Sequence, residues 1–266
     1  MNSQKANKTL SYRWIILVIL LIAYFFVYFH RTSTAVVGTE IVSAVGGSVA
    51  LLGSAYFYSY VLMQIPSGLM ADRYGVRSLV SVFLLIAALG AFLIGLGESW
   101  NTVLIGRVLI GLGLGAIYIP MLKVLAVWFK KNEFASLNGI ILAVGNAGAI
   151  ASATPLAILS DAIGWQDVFI FLAITTLILA VMCYVIIRNH PSEKGYMSIE
   201  EIISNEYDLQ QKINKLFKSN DFIYKKKFKI KTKDYEREYT IISKSYDYLL
   251  CIDGTKIYIK DIIDIK

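Results

Sequence analysis

The chain has 266 residues, 56% of them hydrophobic and only 17% charged, with a formal net charge of +7 and a mean hydropathy of +0.59. Soluble domains are less apolar and about a quarter charged, so this composition excludes an ordinary soluble protein and points to a bilayer as solvent. Two cysteines, Cys183 in an apolar run and Cys251 near the end, form no framework, fit a reducing or indifferent environment and suggest no metal site.

The average hides a split. Residues 1–191 hold eleven Lys or Arg and six Asp or Glu, whereas residues 192–266 hold fifteen and thirteen, and the last alanine is Ala180. Such a shift marks a boundary between two kinds of protein. The expected organisation is a cytoplasmic N-terminal segment (1–12), a membrane part (13–191), a linker with a helix (192–219) and a small β-rich domain (220–266).

In chain order, the basic start MNSQKANKTLSYRW leads into an apolar run too long for a signal-peptide core, so it is expected to remain as a first membrane helix. A spanning helix needs about 20 apolar residues, and backbone in lipid must satisfy its own hydrogen bonds. Six segments qualify: about 13–37, 48–70, 77–97, 101–127, 135–160 and 166–188. Gly46-Gly47, Asp72–Gly75, Glu98–Asn101 and Gly164-Trp165 supply short turns. Lys5, Lys8 and Arg13 precede the first span, Arg73 and Arg77 follow the second, Lys130 and Lys131 the fourth, and Arg188 and Lys194 the sixth; the alternate loops carry only acids. The positive-inside rule therefore predicts that both ends of the chain lie in the cytoplasm, with the membrane part in the plasma (inner) membrane.

After the spans, Glu200–Leu216 has helical spacing of Ile202, Leu209, Ile213 and Leu216. The stretch 222–233 alternates, with Phe222, Tyr224, Phe228 and Ile230 on one side, and 239–243 and 248–252 read as further strands. Asp253-Gly254 is a hairpin turn into 256–260. The whole is an α-helical integral membrane protein followed by a small α+β, mostly antiparallel, domain. The lysines of 225–229 alternate with aromatics as the solvated face of a strand does, so no nucleic acid is expected as a partner. The closing pattern, a Gly254 turn, KIYIK (256–260) and then DIIDI (261–265), resembles small SH3-like bacterial modules of the YolD-like type over about 25 residues.

Chemistry-bearing residues sit inside the spans. Tyr24, Tyr28 and Arg31 fall at i, i+4 and i+7 of the first span, with His30 beside them. A cation that far inside an apolar run would attract an anion if it faces a cavity; the competing reading is an outer-interface arginine within an aromatic belt. Tyr56, Tyr60 and Gln64 are successive turns of the second span, Pro120 and Lys123 lie late in the fourth, and Asn146 interrupts the fifth. Arg107 lies in the fourth span, where an unpaired cation costs about 2.5–3.5 kcal/mol; it is followed by Gly111, Gly113 and Gly115, small residues that permit close helix packing. Lys123 and Arg107 point apart on a helical wheel unless the helix kinks near Pro120.

Between the second and third spans lies GLMADRYGVR, with Gly68, Asp72, Arg73, Gly75 and Arg77. Gly68 is expected to let the second span approach a neighbour, Gly75 to allow a tight reversal, and Asp72 to pair with Arg73 or Arg77 or to cap a facing helix. This turn, the Arg107-x-x-x-Gly111-x-Gly113 pattern and the six spans resemble the N-terminal half of a major facilitator superfamily transporter over residues 13–203. YFHRTSTAVV, the Pro-x-x-Lys at 120–123 where the branch has Pro-x-x-Arg, AVWFKKNEFASLNG (126–139), GWQDVF (164–169) and NHPSEKG (189–195) resemble the organophosphate/phosphate antiporter and anion/cation symporter branch. The organophosphate antiporters carry a histidine where Gly145 stands, which argues against a phosphate ester, and the Gly-Pro-x-x-Gly-Gly of drug antiporters is absent from the fifth span.

The resemblance implies movement of a small anionic organic solute by alternating access, without enzymatic chemistry and without a cofactor, coupled to H+ or to a counter-transported anion. It implies Arg31, Tyr24, Tyr28, Tyr56, Tyr60, Gln64, Lys123 and Asn146 as candidate solute contacts. Gly68, Asp72, Arg73, Gly75, Arg77, Arg107, Gly111 and Gly113 are the structural and gating set. Transporters of this family pair two six-helix halves with the solute between them, so the partners expected are the lipid bilayer, the solute, and a second copy or a separately encoded half. The alternatives are a membrane anchor or sensor presenting the tail module, and a truncated or rearranged protein without transport activity.

Overall fold

A computed structural model describes residues 2–218, 227–232, 235–245 and 247–265, with the side chains of 2, 3, 216, 218 and 243 outside the description. It is mainly helical, and six helical stretches are long and apolar enough to cross a membrane. The chain divides into two compact units, Leu10–Lys194 and the combination of Met1–Thr9 with Gly195–Lys266.

The first three spans are the helices α1 (Asn2–Val45), α2 (Val49–Tyr74) and α3 (Val76–Gly95). The fourth is broken into α4 (Trp100–Gly115) and α5 (Tyr118–Trp128), the fifth into α6 (Phe134–Ala151) and α7 (Thr154–Ile163), and the sixth is α8 (Trp165–Ile186). Both breaks lie within a turn upstream of a proline, Pro120 and Pro155. Proline removes an N–H and crowds the carbonyl four residues back, so the ladder opens before the ring rather than at it.

Glycines set the packing of α4, which is wedged between two neighbours. A Cβ on Gly106 would lie 2.6 Å from the Gly90 carbonyl of α3, and one on Gly113 would lie 2.5 Å from the Phe83 carbonyl. On the other side, a Cβ on Gly111 would lie 2.5 Å from the Tyr56 carbonyl, and one on Gly115 the same distance from that of Tyr60 on α2. Gly68 does not share this role: a Cβ there would meet Ile119 at 3.6 Å, an ordinary contact, so the close approach expected of it is found on α4 instead. Gly75, at φ +80°, does make the reversal between α2 and α3. The Asn189 carboxamide oxygen then accepts the Arg77 N–H at 2.9 Å at the start of α3.

One face of α2 is left uncovered. Tyr58, Leu62, Ile65 and Leu69, spaced i, i+4, i+7 and i+11, are each more than 70% exposed, and α2 is the least buried of the six spans.

The second unit has its own core. Its helix α9 (Ile199–Lys218) starts in a capping box, Ser198 Oγ accepting the Glu201 N–H at 3.1 Å and the Glu201 carboxylate accepting the Ser198 N–H at 2.8 Å. The strands β1 (Lys227–Thr232), β2 (Glu236–Lys244), β3 (Tyr248–Cys251), β4 (Lys256–Tyr258) and β5 (Ile262–Ile265) form an antiparallel sheet in the order β4-β3-β2-β1-β5. Phe228, Ile230, Ile241, Leu249, Ile257 and Ile265 face Ile213 of α9. Lys227, Lys229 and Lys231 project to the exposed side of β1, as the alternation predicts, while Phe222, Tyr224, Lys225 and Lys226 lie outside the described residues. Gly254, at φ +82°, turns β3 into β4, and Asp253 Oδ1 accepts the Thr255 N–H at 2.9 Å.

Candidate functional site

An aromatic cluster gathers on α1. Tyr24 lies edge-on to Tyr28 with ring centroids 5.2 Å apart, and stacks on Tyr118 of α5 at 5.3 Å. Gly145 of α6 is pressed against both α1 rings: a Cβ there would come within 2.9 Å of Tyr24 and 3.0 Å of Tyr28. The glycine in place of a larger residue thus makes room for two tyrosines. One turn further, Arg31 is exposed, its guanidinium carbon 5.4 Å from the Tyr28 ring and 5.0 Å from the Phe57 ring of α2. Contact with two aromatic faces favours the cation electrostatically and restrains the plane of the guanidinium. Among the described residues no carboxylate pairs with it, so the charge remains available to a ligand.

Tyr56 and Tyr60 continue the cluster on α2, stacked at 5.7 Å. Tyr56 is fully buried and carries Arg107 5.0 Å above its ring, while Tyr60 and Gln64 are half-buried. Arg107 is 1% exposed and donates from Nη1 to the His30 carbonyl at 3.0 Å. Burial thus places it in the bundle interior and not at a snorkelling end.

Two candidates sit elsewhere. Lys123 of α5 donates from Nζ to Asp72 Oδ1 at 2.7 Å and to the Ala71 carbonyl at 2.9 Å. Asn146 is exposed and gives its amide N–H to the Leu142 carbonyl of its own helix at 2.8 Å.

The charged turn is wired differently from the expectation. Asp72 pairs with Lys123 and not with Arg73 or Arg77. Arg73 lies over the Tyr74 ring at 5.3 Å, and Arg77, at the start of α3, donates from Nε to the Tyr184 carbonyl of α8 at 2.6 Å and stacks on that ring at 4.2 Å. The reason is directional: α3 packs its length against α8, so Arg77 is carried away from the end of α2, which faces α5.

Two residues of this region, and the partner of a third already noted in the 126–139 stretch, escaped sequence reasoning. Phe57 and Tyr118 complete the aromatic walls, and only their chain proximity to Tyr56 and Pro120 could have flagged them. The third, Glu133, binds Arg13 bidentately, at 2.8 and 3.0 Å, and accepts the Lys130 N–H at 2.9 Å. Burial pushes the Glu133 carboxyl up, but the Lys130 N–H and Arg13 outweigh it and hold the group below its ordinary range.

The Major Facilitator Superfamily model matches residues 20–229, and the chain belongs to that family. It is 25% identical over 193 residues to the probable sulfoacetate transporter SauU of Cupriavidus necator, covering 71% of this chain and 45% of that protein. It is 26% identical over 205 residues to the probable galactarate/D-glucarate transporter GarP of Escherichia coli, covering 74% and 46%. The chain thus spans about half the length of these relatives. A crystal structure of a bacterial homolog to the human lysosomal transporter Spinster, inward-facing and unoccupied, shares the fold with a TM-score of 0.59 at 20% identity, over 68% of this chain and 44% of that one. Family and apolar helices together make this a multi-pass membrane protein.

Proposed function

We propose that the six-helix unit is one half of an alternating-access transporter for a small organic anion, with Arg31 as the anion contact and Tyr24, Tyr28, Tyr60 and Tyr118 lining the cleft. The observation that carries this reading is the exposed Arg31 guanidinium held against Tyr28 and Phe57 with no carboxylate partner among the described residues. The relatives named for sulfoacetate and for galactarate/D-glucarate support an organic acid as solute. No chemical conversion is assigned to the cleft. Coupling is to H+ or to a counter-transported anion, and the cytoplasmic side carries both chain ends, following the basic residues of the loops. Asp72 and Lys123 are then a helix-end tether, not solute contacts.

Family transporters place the solute between two halves, so activity needs a second six-helix unit. The test is thermal unfolding of the purified protein against a panel of organic anions, with uptake into proteoliposomes as the second readout. Saturable stabilisation by at least one acid, lost in Arg31→Ala, supports the reading. A protein that is monomeric, does not respond to any acid and takes up none of them overturns it.

A second reading rests on the separate core of the tail unit: the membrane part anchors a module that captures a cytoplasmic partner. Capture by the full chain that survives Arg31→Ala and is lost when the tail is removed would favour it.

A further inference from the structure

The interior of the helix bundle is rich in donors and poor in acceptors around one turn of α1. Arg107 Nη1 and Ser33 Oγ both donate to the single carbonyl of His30, at 3.0 and 2.9 Å. Arg107 Nε and Nη2, His30 Nδ1 and Thr34 Oγ1 are buried and have no partner among the described residues. Arg107, His30 and Thr34 are 1%, 0% and 5% exposed. His30 and Thr34 are one helical turn apart, and the carbonyl that Arg107 holds is the one facing residue 34 along the helix. The unpartnered groups therefore belong to one locality.

The charge there is also uncompensated. The acids of residues 10–194 are Glu40, Asp72, Glu98, Glu133, Asp161, Asp167 and Glu193, and none of them pairs with Arg107. The Tyr56 ring, 5.0 Å from the guanidinium carbon, offers a quadrupole and not a counter-charge. Buried cations are found paired, and buried polar groups hydrogen-bonded, because desolvation without compensation is expensive.

We propose that this locality is a binding site for one small monovalent inorganic anion of halide size, separate from the Arg31 cleft. Arg107 supplies Nε and Nη2 as a two-pronged donor and Thr34 its hydroxyl. The Thr176 hydroxyl donates to the Leu172 carbonyl at 2.7 Å, so it accepts from His30 Nε2–H at 3.4 Å and Nδ1 is the unprotonated ring nitrogen. The anion neutralises the guanidinium and accepts from three donors that otherwise have no partner among the described residues. It is structural in effect, fastening α1 to α4 through a shared ion.

The experiment uses the purified full chain at fixed ionic strength, with sodium methanesulfonate replaced stepwise by sodium chloride or bromide. The unfolding midpoint is expected to rise and saturate with halide. Thr34→Val, which keeps the side-chain shape and removes the hydroxyl, is expected to raise the half-saturating concentration by about tenfold, the effect of one hydrogen bond to a charged group. Thr34→Ala provides an independent variant should Thr34→Val fail to fold. Anomalous scattering from a bromide-soaked crystal is expected to place one peak against Arg107. A midpoint indifferent to halide with an ordered water only at Arg107, a halide response unchanged in both variants, or bromide at Arg31 and not at Arg107 would each overturn the proposal.

Discussion

Arg13 and Glu133 close a two-pronged ion pair, 2.8 and 3.0 Å long, across 120 positions of sequence. The same offset recurs where Thr32 meets Ser152, and again where Ser160 donates to Glu40 at 2.7 Å. The first span and the fifth therefore run parallel and in register from residue 13 to residue 40, a length of about 40 Å at 1.5 Å per residue. The register is fixed by an ion pair, a hydroxyl pair and a carboxylate–hydroxyl pair, with Gly145 and Gly148 letting the two helices approach between them.

Breaking the ion pair should cost stability. Arg13→Ala and Glu133→Gln are each expected to destabilise by about 2 kcal/mol, because each leaves a partly buried partner unsatisfied. The Glu133 carboxyl lies below its ordinary range when folded, so its contribution is complete above about pH 5 and fades as pH falls through the carboxylate range. Unfolding in detergent from pH 7 to pH 3 should show the wild type losing more stability than Glu133→Gln; parallel curves would count against the assignment.

The glycines of α4 are not equivalent to the glycine of the charged turn. Gly113→Val must displace the Phe83 carbonyl and Ala87, at 2.5 and 2.6 Å from the added Cβ, and is expected to destabilise by about 2–3 kcal/mol or to prevent folding. Gly68→Ala has room and reduces the freedom of the unfolded chain, so its expected effect lies between zero and about 1 kcal/mol of stabilisation. Thermal unfolding of the two variants side by side is sufficient.

The Asp72–Lys123 pair is solvent-exposed, with side chains 73% and 37% accessible. Such pairs contribute about 0.2–1 kcal/mol, less in high salt. Asp72→Asn, Lys123→Met and the double variant should give a coupling energy within that range, vanishing at high ionic strength. Lys123→Met should also leave any stabilisation by organic acids in place, whereas Arg31→Ala should remove it.

In the tail, Ile213 is fully buried against the sheet. Ile213→Ala is expected to destabilise that unit by about 2–4 kcal/mol, leaving the membrane unit unchanged. Burial, with Asp253 adding to it, raises the Cys251 thiol above its ordinary value. Alkylation of Cys251 at pH 8 should therefore be slow in the native protein and accelerate in Ile213→Ala.

What the sequence disclosed followed the range of the interaction involved. Six spans were legible because about 20 apolar residues in a row admit few other structures, and the strand face of Phe228 and Ile230 because a period of two is local. The breaks after Gly115 and Ala151 were blurred, since Pro120 and Pro155 act on carbonyls upstream of themselves. The partner of Asp72 was not legible at all. Arg73 and Arg77 are near in sequence, but Lys123 is brought there by the packing of α5 on α2, and no local pattern records that. Similarly, Arg31 was found from its place in an apolar run, whereas Phe57, which shares its guanidinium, belongs to another helix.

The uncovered stripe on α2 bears on how any partner is chosen. To Tyr58, Leu62, Ile65 and Leu69, a lipid tail and a neighbouring apolar helix are nearly equivalent surroundings, so removing them from lipid yields little driving force. Greasiness cannot recruit a mate inside the bilayer. Selection must come from shape fit along those large side chains, from the Tyr58 hydroxyl, and from charges at the water-facing end of the same helix. Leu62→Ala should thus disturb pairing through lost fit, while Leu62→Ile, equal in size and apolarity, should disturb it nearly as much.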